Sequence, residues 1–409
     1  MRISTSMIYQ KGVGGIQQQW SGLLHTQQQL STGRRVLTPA DDPIAASRAL
    51  ELGQSQGVNK QFMVNTGYAE DRLGLLENKL TGVGDILQYM RTKTVEAGNG
   101  GYNEQDLKAL ATDLRAQFDA MLALANSKDG MGDYLFSGFK ANEQPFSGDL
   151  ANVAYHGDHG TQTIQVSASR YMPVSLPGSD VFMATRAYND ELIDLPPGTD
   201  NQGDAVLGAT LSLSDPVDAT LLGRRYELSY HDDGINPPSW DIVEHRPGVA
   251  SPIAVASGVT ALNDPAVTAA LGFELNLSSG AAVDGDRFEV FASSPNVFEN
   301  LGMLIDAMER PGPSGMADGA VASGLKNIDS ALENVLKIRA RVGSQMVETE
   351  ALQNLGSDLS IQYSESISDL MDVNYAEAIS NLMQQQTYLQ AAQQSFMRVS
   401  GLSLFNFLS

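Results

Sequence analysis

The sequence predicts a mainly α-helical chain with an inserted β domain. Long coiled-coil helices enter from both termini and form an antiparallel bundle, and an outward all-β domain fills the middle of the chain. Three observations carry this. Apolar residues recur at alternating steps of three and four in both flanks. Twelve of the 16 prolines lie between 130 and 295. The charge is also uneven: residues 1–129 hold 13 acidic and 13 basic residues, 130–295 hold 22 and 7, and 296–409 hold 13 and 6. Proline removes a backbone donor and clashes inside a helix, so the flanks admit long helices and the middle does not.

The elements follow in order. Tyr9, Val13, Ile16, Trp20, Leu23, Gln27 and Leu30 form a heptad seam with one polar interruption. Ser31-Thr32-Gly33 stops it, with Gly33 placed for a left-handed residue after the helix. Asp41-Asp42-Pro43 starts a second helix, with Asp as the cap and Pro where no donor is needed. Its seam is Ala69, Leu73, Leu76, Leu80, Val83, Leu87 and Met90. Running from Pro43 to Ala97, this helix is about 80 Å long. Leu107, Ala111, Leu114, Phe118, Met121 and Ala125 make a third seam.

In the C-terminal flank, Val297, Leu301, Leu304 and Met308 precede the stop Pro311-Gly312-Pro313. Ile328, Leu332, Val335, Arg339, Val342 and Met346 follow, and then Tyr375, Ile379, Leu382, Gln386, Leu389, Phe396 and Val399, with a break near 372–374 left open. Alternation at Ile164, Val166, Tyr226, Leu228, Trp240, Ile242, Phe273, Leu275, Phe288 and Val290 predicts strands between the flanks.

The expected domains are terminal assembly arms (1–40 with 373–409), a helical bundle (41–145 with 295–372) and an outward β domain (146–294). A β-hairpin is expected near 133–145, inside the bundle segment. Glycines at 53, 57, 67, 74, 82 and 84 weaken the second helix by about 1 kcal/mol each where exposed. The glutamine runs at 17–19, 27–29 and 384–386 fit either a solvated face or polar packing between copies.

Composition removes several function classes. A net charge of −22 leaves no basic footprint for nucleic acid or an anionic membrane surface. The absence of cysteine excludes disulfides and thiolate chemistry. No apolar run approaches a membrane span, and the first residues lack the apolar core of a signal peptide. His156-Gly157-Asp158-His159 and Asp232-Asp233-Gly234 read as turns, and no nucleophile–base set, metal site or cofactor fingerprint is expected.

The stretch from Gln29 to Ala46, with Gly33, Arg34, Asp41, Asp42 and Pro43, closely resembles the N-terminal signature of the bacterial flagellin superfamily. Its Thr-Pro-Ala-Asp-Asp-Pro form resembles the hook–filament junction members. Asp133–Phe139, Asp372–Ile379 and the tail Leu402–Ser409 resemble further stretches of the same superfamily.

The resemblance implies a non-enzymatic structural adaptor on the extracellular flagellum. It would be exported unfolded through the flagellar type III channel and assembled at the tip by pairing of its terminal helices. The implied partners are hook-associated protein 1, flagellin, copies of the chain in a tubular ring and a cytoplasmic export chaperone.

The assembly residues it implies are Met7, Val13, Ile16, Trp20, Leu23, Leu30, Tyr375, Ile379, Leu382, Leu389, Phe396, Val399 and Leu402. The chaperone contacts it implies are Leu404, Phe405, Phe407 and Leu408. The arms are expected to order on assembly. The filament subunit itself is the nearest alternative, and an enzymatic or glycan-binding β insert the remote one.

Overall fold

The computed structural model describes residues 5–98, 101–150, 152–184, 193–195, 201–211, 223–246, 249, 251–311 and 318–408, with the backbone alone beyond 398. The chain is mostly helical with a β-rich centre. It forms two compact units, Met1–Asn65 with Ala351–Ser409, and Thr66–Glu350.

The first unit contains α1 (Thr5–Thr32), the start of α2 (Pro43–Ala97), the end of α7 (Asp318–Met371) and α8 (Tyr375–Leu408). The left-handed stop is present: Gly33 has φ 74°. Pro43 opens α2, and the Asp42 carboxylate accepts from the Ala45 amide at 3.0 Å. A break separates α7 from α8. Asn374 caps the new helix, accepting from the Ala376 and Glu377 amides at 3.2 and 3.4 Å.

The second unit holds the apolar core. Ala69, Leu73, Leu76, Leu80, Val83, Leu87 and Met90 of α2 are all buried. So are Leu107, Ala111, Leu114, Phe118, Met121 and Ala125 of α3 (Glu104–Ala125). Asn103 and Asp106 close a capping box at the start of α3. Helix α6 (Val297–Glu309) packs on α3, with Phe118 and Phe298 meeting edge to face at 5.7 Å. Across α2 and α7, Arg339 binds Glu77 at 2.7 Å and Arg91 binds Asp329 at 2.6 Å.

Residues 133–145 are not the expected β-hairpin. Asp129 accepts from the Met131 and Asp133 amides, and Gly132 and Gly138 take φ of 95° and 73°. These local bonds compete with a ladder and leave turns and isolated bridges. The hairpin lies just beyond, as β1 (Phe146–Asp149) and β2 (Asn152–Tyr155). Strands β3 (Thr163–Ser167) and β4 (Arg170–Pro173) make a second one, followed by the short helix α4 (Gly178–Phe182).

The insert's main sheet is antiparallel, in the order β5-β11-β7-β8-β9. Its strands are β5 (Ile193–Asp194), β7 (Arg224–His231), β8 (Ser239–His245), β9 (Ile253–Val259) and β11 (Arg287–Ala292). Strand β6 (Val206–Leu211) pairs with β10 (Phe273–Ser279), which follows the short helix α5 (Pro265–Leu271). Tyr226, Leu228, Trp240, Ile242, Phe273, Leu275, Phe288 and Val290 share one core, so the period-two positions face inward. The Asp232–Gly234 turn joins β7 to β8, with the Asp233 carboxylate accepting from the Ile235 and Asn236 amides.

A buried ionic cluster ties this sheet to α6. Arg225 lies 3.2 Å from both Glu289 and Asp306, and Asp306 also meets Arg310. Burial pushes the Glu289 carboxyl above its usual range.

Candidate assembly surface

The N- and C-terminal helices run antiparallel as a pair. Gly12 lies against Phe396, Gly22 against Gln385 and Gly33 against Tyr375. The Tyr9 and Phe396 rings are 5.0 Å apart, and the Thr26 hydroxyl is 3.1 Å from Gln385 Oε1. The pair is thin. Among described side chains only Thr26 of α1, and Ala378 and Leu389 of α8, are fully buried.

The expected residues divide between two faces. Val13, Ile16, Leu23, Leu30, Leu382, Leu389 and Phe396 are buried or half-buried. Met7, Trp20, Tyr375 and Ile379 are exposed, Trp20 by 51% and Tyr375 by 54%. The inward row of α8 is Ala378, Leu382, Gln385, Leu389, Ala392 and Phe396, one residue short of the expected row at Ile379 and Gln386. Isoleucine drew that row toward Ile379, but Ala378 allows the closer approach of the two backbones. Val399, Leu402, Leu404, Phe405, Phe407 and Leu408 lie outside the described side chains.

The signature loop joins the two helix breaks of this unit. The Arg35 amide donates to the Met371 carbonyl at 2.7 Å, and the Val373 amide to the Gly33 carbonyl at 2.9 Å. The Arg35 guanidinium binds Asp42 at 3.1 Å and the Leu370 carbonyl at 2.8 Å. Asp41 accepts from the Leu37 and Thr38 amides at 3.0 and 2.8 Å. The Thr38 amide holds the Asp41 carboxyl below its usual range, and the Ala45 amide does the same for Asp42. Val36 is buried beneath the loop, whereas the Arg34 side chain faces solvent.

Periodicity missed a further set of exposed apolar side chains. Leu24 joins Ile16 and Trp20 in an open groove on α1, edged by Gln17, Ser21, His25 and Gln28. Met383, Tyr388 and Met397 stand out from α8. Ile44, Leu50, Val58 and Val64 stand out from α2, and Leu355 and Ile361 from α7. These residues fall off the seams, where sequence offers no means of telling surface from contact. So much exposed apolar area on one unit suits association.

Among the described residues no group of three His, Cys, Asp or Glu could hold a metal ion, and no helix is long and apolar enough to cross a membrane. His156 pairs with the Ser147 hydroxyl at 2.6 Å and His159 with the Ser179 hydroxyl at 2.8 Å.

Known proteins share this architecture. Residues 3–141 match the bacterial flagellin N-terminal helical region, and 325–408 the flagellin C-terminal helical region. The chain is 30% identical over 405 residues to the flagellar hook-associated protein 3 of Salmonella typhimurium, covering 99% of each. It is 30% identical over 413 residues to the protein of that name from Escherichia coli, again covering 99% of each. A flagellin of Listeria monocytogenes aligns over 233 residues at 22% identity, 52% of this chain and 77% of that one. In fold, the chain is similar to the flagellar junction protein FlgL of Legionella pneumophila. That structure gives a TM-score of 0.51 at 22% identity, covering 80% of this chain and 100% of that one.

Proposed function

This chain belongs to the flagellar hook-associated protein 3 family of the flagellin superfamily, and from that membership we propose that it is the adaptor between flagellar hook and filament. The observation that carries the reading is the full-length match at 30% identity, which spans both arms and the insert. The role is structural. The chain sits outside the cell at the hook–filament junction, where hook-associated protein 1 lies below it, the first flagellin subunits above it and copies of itself around it.

The mechanism is burial. The exposed apolar side chains of the arm unit lose their water when neighbouring subunits close over them, at about 1.5–3 kcal/mol for each large side chain fully buried. In the isolated chain the thin α1–α8 pair opens readily and firms only in the ring, which agrees with an export route that needs an unfolded chain. The tail residues Leu404, Phe405, Phe407 and Leu408 are the proposed contact for the export chaperone. The filament subunit is the weaker reading, because flagellin matches cover only part of the chain.

Trp20 tests the surface. It is 51% exposed, so Trp20→Ala spares the fold and removes a contact offered to neighbours. Cells carrying it as their sole copy are expected to build hooks, assemble few filaments and shed flagellin into the medium. Full-length filaments at normal number would remove Trp20 from the assembly surface.

A further inference from the structure

Two arms this repetitive have several ways to pair. Ile16, Leu23 and Leu30 recur at every seventh residue of α1, and Leu382, Leu389 and Phe396 do the same on α8. A slip by one heptad would set apolar against apolar as well as the observed register does. The glutamine runs discriminate no better.

The observed register differs from its slipped neighbours at its polar and glycine positions. A Cβ on Gly12 would stand 2.8 Å from the Phe396 ring, so only glycine leaves that ring its place. A Cβ on Gly22 would stand 3.8 Å from the Gln385 amide nitrogen, and one on Gly33 3.0 Å from the Tyr375 hydroxyl. The Thr26 hydroxyl lies 3.1 Å from Gln385 Oε1 and 3.1 Å from the Gly22 carbonyl, and shares its one proton between them. Among the described side chains of α1 Thr26 is the fully buried one, so the middle of the pair is polar and satisfied.

The geometry points to a register key: Thr26 and Gln385, seconded by Gly12 with Phe396, admit one antiparallel alignment of the arms and reject the heptad-slipped ones. A slip in one direction sets Phe396 against Gln19, whose side chain fills the space that Gly12 leaves open. A slip in the other gives Gln385 another glycine, Gly15, and leaves the rejection to Thr26. Either way Thr26 exchanges Gln385 for an alanine, Ala392 or Ala378, and its buried hydroxyl loses that partner. A polar pair in an apolar seam trades stability for a single register.

Register decides which outward side chains of α1 and α8 stand together. A slip moves α8 along α1 by about 10 Å. That consequence for assembly rests on the proposed function; the key itself does not.

The chain has no cysteine, so within one chain two introduced cysteines can pair only with each other, and closed monomer is the species read. The register that sets Gly12 against Phe396 and Gly33 against Tyr375 sets position 30 against 378, and a one-heptad slip brings position 23 there. The full-length monomer is oxidised slowly, so that a pair which opens and closes is still captured. Leu30→Cys with Ala378→Cys is expected to close at least about ten-fold faster than Leu23→Cys with Ala378→Cys. Adding Thr26→Val and Gln385→Leu, which keep the shape and raise apolarity, is expected to bring the slipped pair within about three-fold of the native one.

A slipped pair that stays about ten-fold slower after those substitutions overturns the key. Equal rates in the unsubstituted chain, or closure of neither pair, overturn it as well. None of these readouts uses assembly, so the junction role and the key can fail separately.

Discussion

Individual glycines separate two kinds of position that look alike in the sequence. Gly57 lies exposed in α2, and a Cβ there meets nothing within 4 Å. Gly324 in α7 faces the buried Leu304, whose Cδ1 would stand 2.6 Å from an added Cβ. Gly57→Ala is therefore expected to raise stability by up to about 1 kcal/mol, the helix propensity difference. Gly324→Ala is expected to lower stability by about 1–3 kcal/mol, because Leu304 must move within a packed core. Denaturant midpoints of the two variants decide this. The sequence alone marks Gly57 as a weakness of the second helix and says nothing of Gly324. Only the packing distinguishes an empty face from a notch that receives a side chain, as at Gly12 and Gly324.

Helices and loops show where sequence reasoning ends. The seams of α2 and α3 were legible because each heptad position is large and apolar, so one face alone can be buried. The inward face of α8 was not, because Ala378 and Ala392 pack by being small while Ile379 and Met383 remain outside. The loop at Asp41 and Asp42 was legible as a helix start. Its bonds to Met371 and Val373, more than 300 residues away, carry no local signal.

Both carboxyls are held below the usual value of 3.8, so their contribution is complete above that pH and is lost as pH falls through the lowered values. Amide exchange at Leu37, Thr38 and Ala45 is expected to quicken, relative to its intrinsic rate, only below about pH 4. Unchanged protection at lower pH would deny the two caps their part. Asp42→Ala is expected to lower the denaturation midpoint at neutral pH, the usual consequence of losing an N-cap.

At the scale of the molecule, the insert and the arms can be followed separately. Trp240 is buried in the insert's sheet and Trp20 is exposed on the arm, and the chain has no other tryptophan. Arg225 is buried between Glu289 and Asp306, and removing one partner of such a cluster strands the others. Arg225→Ala is expected to destabilise the insert by about 3–5 kcal/mol, seen as an earlier change in Trp240 emission during urea unfolding. A midpoint within error of the unsubstituted chain would make the cluster incidental.

The acidic, proline-rich middle predicted a β insert correctly in kind. The cluster that ties it to α6 was invisible, since it joins residues 81 positions apart. The adaptor role is tested most directly by deleting the gene, examining the cells by electron microscopy and assaying the medium for flagellin. Bare hooks with flagellin monomers in the medium are the predicted result, because exported subunits then have nothing to polymerise on. Normal filaments on the deleted strain, with no second copy of the gene, would contradict the account, and bare hooks with no flagellin anywhere would make this chain the filament subunit instead.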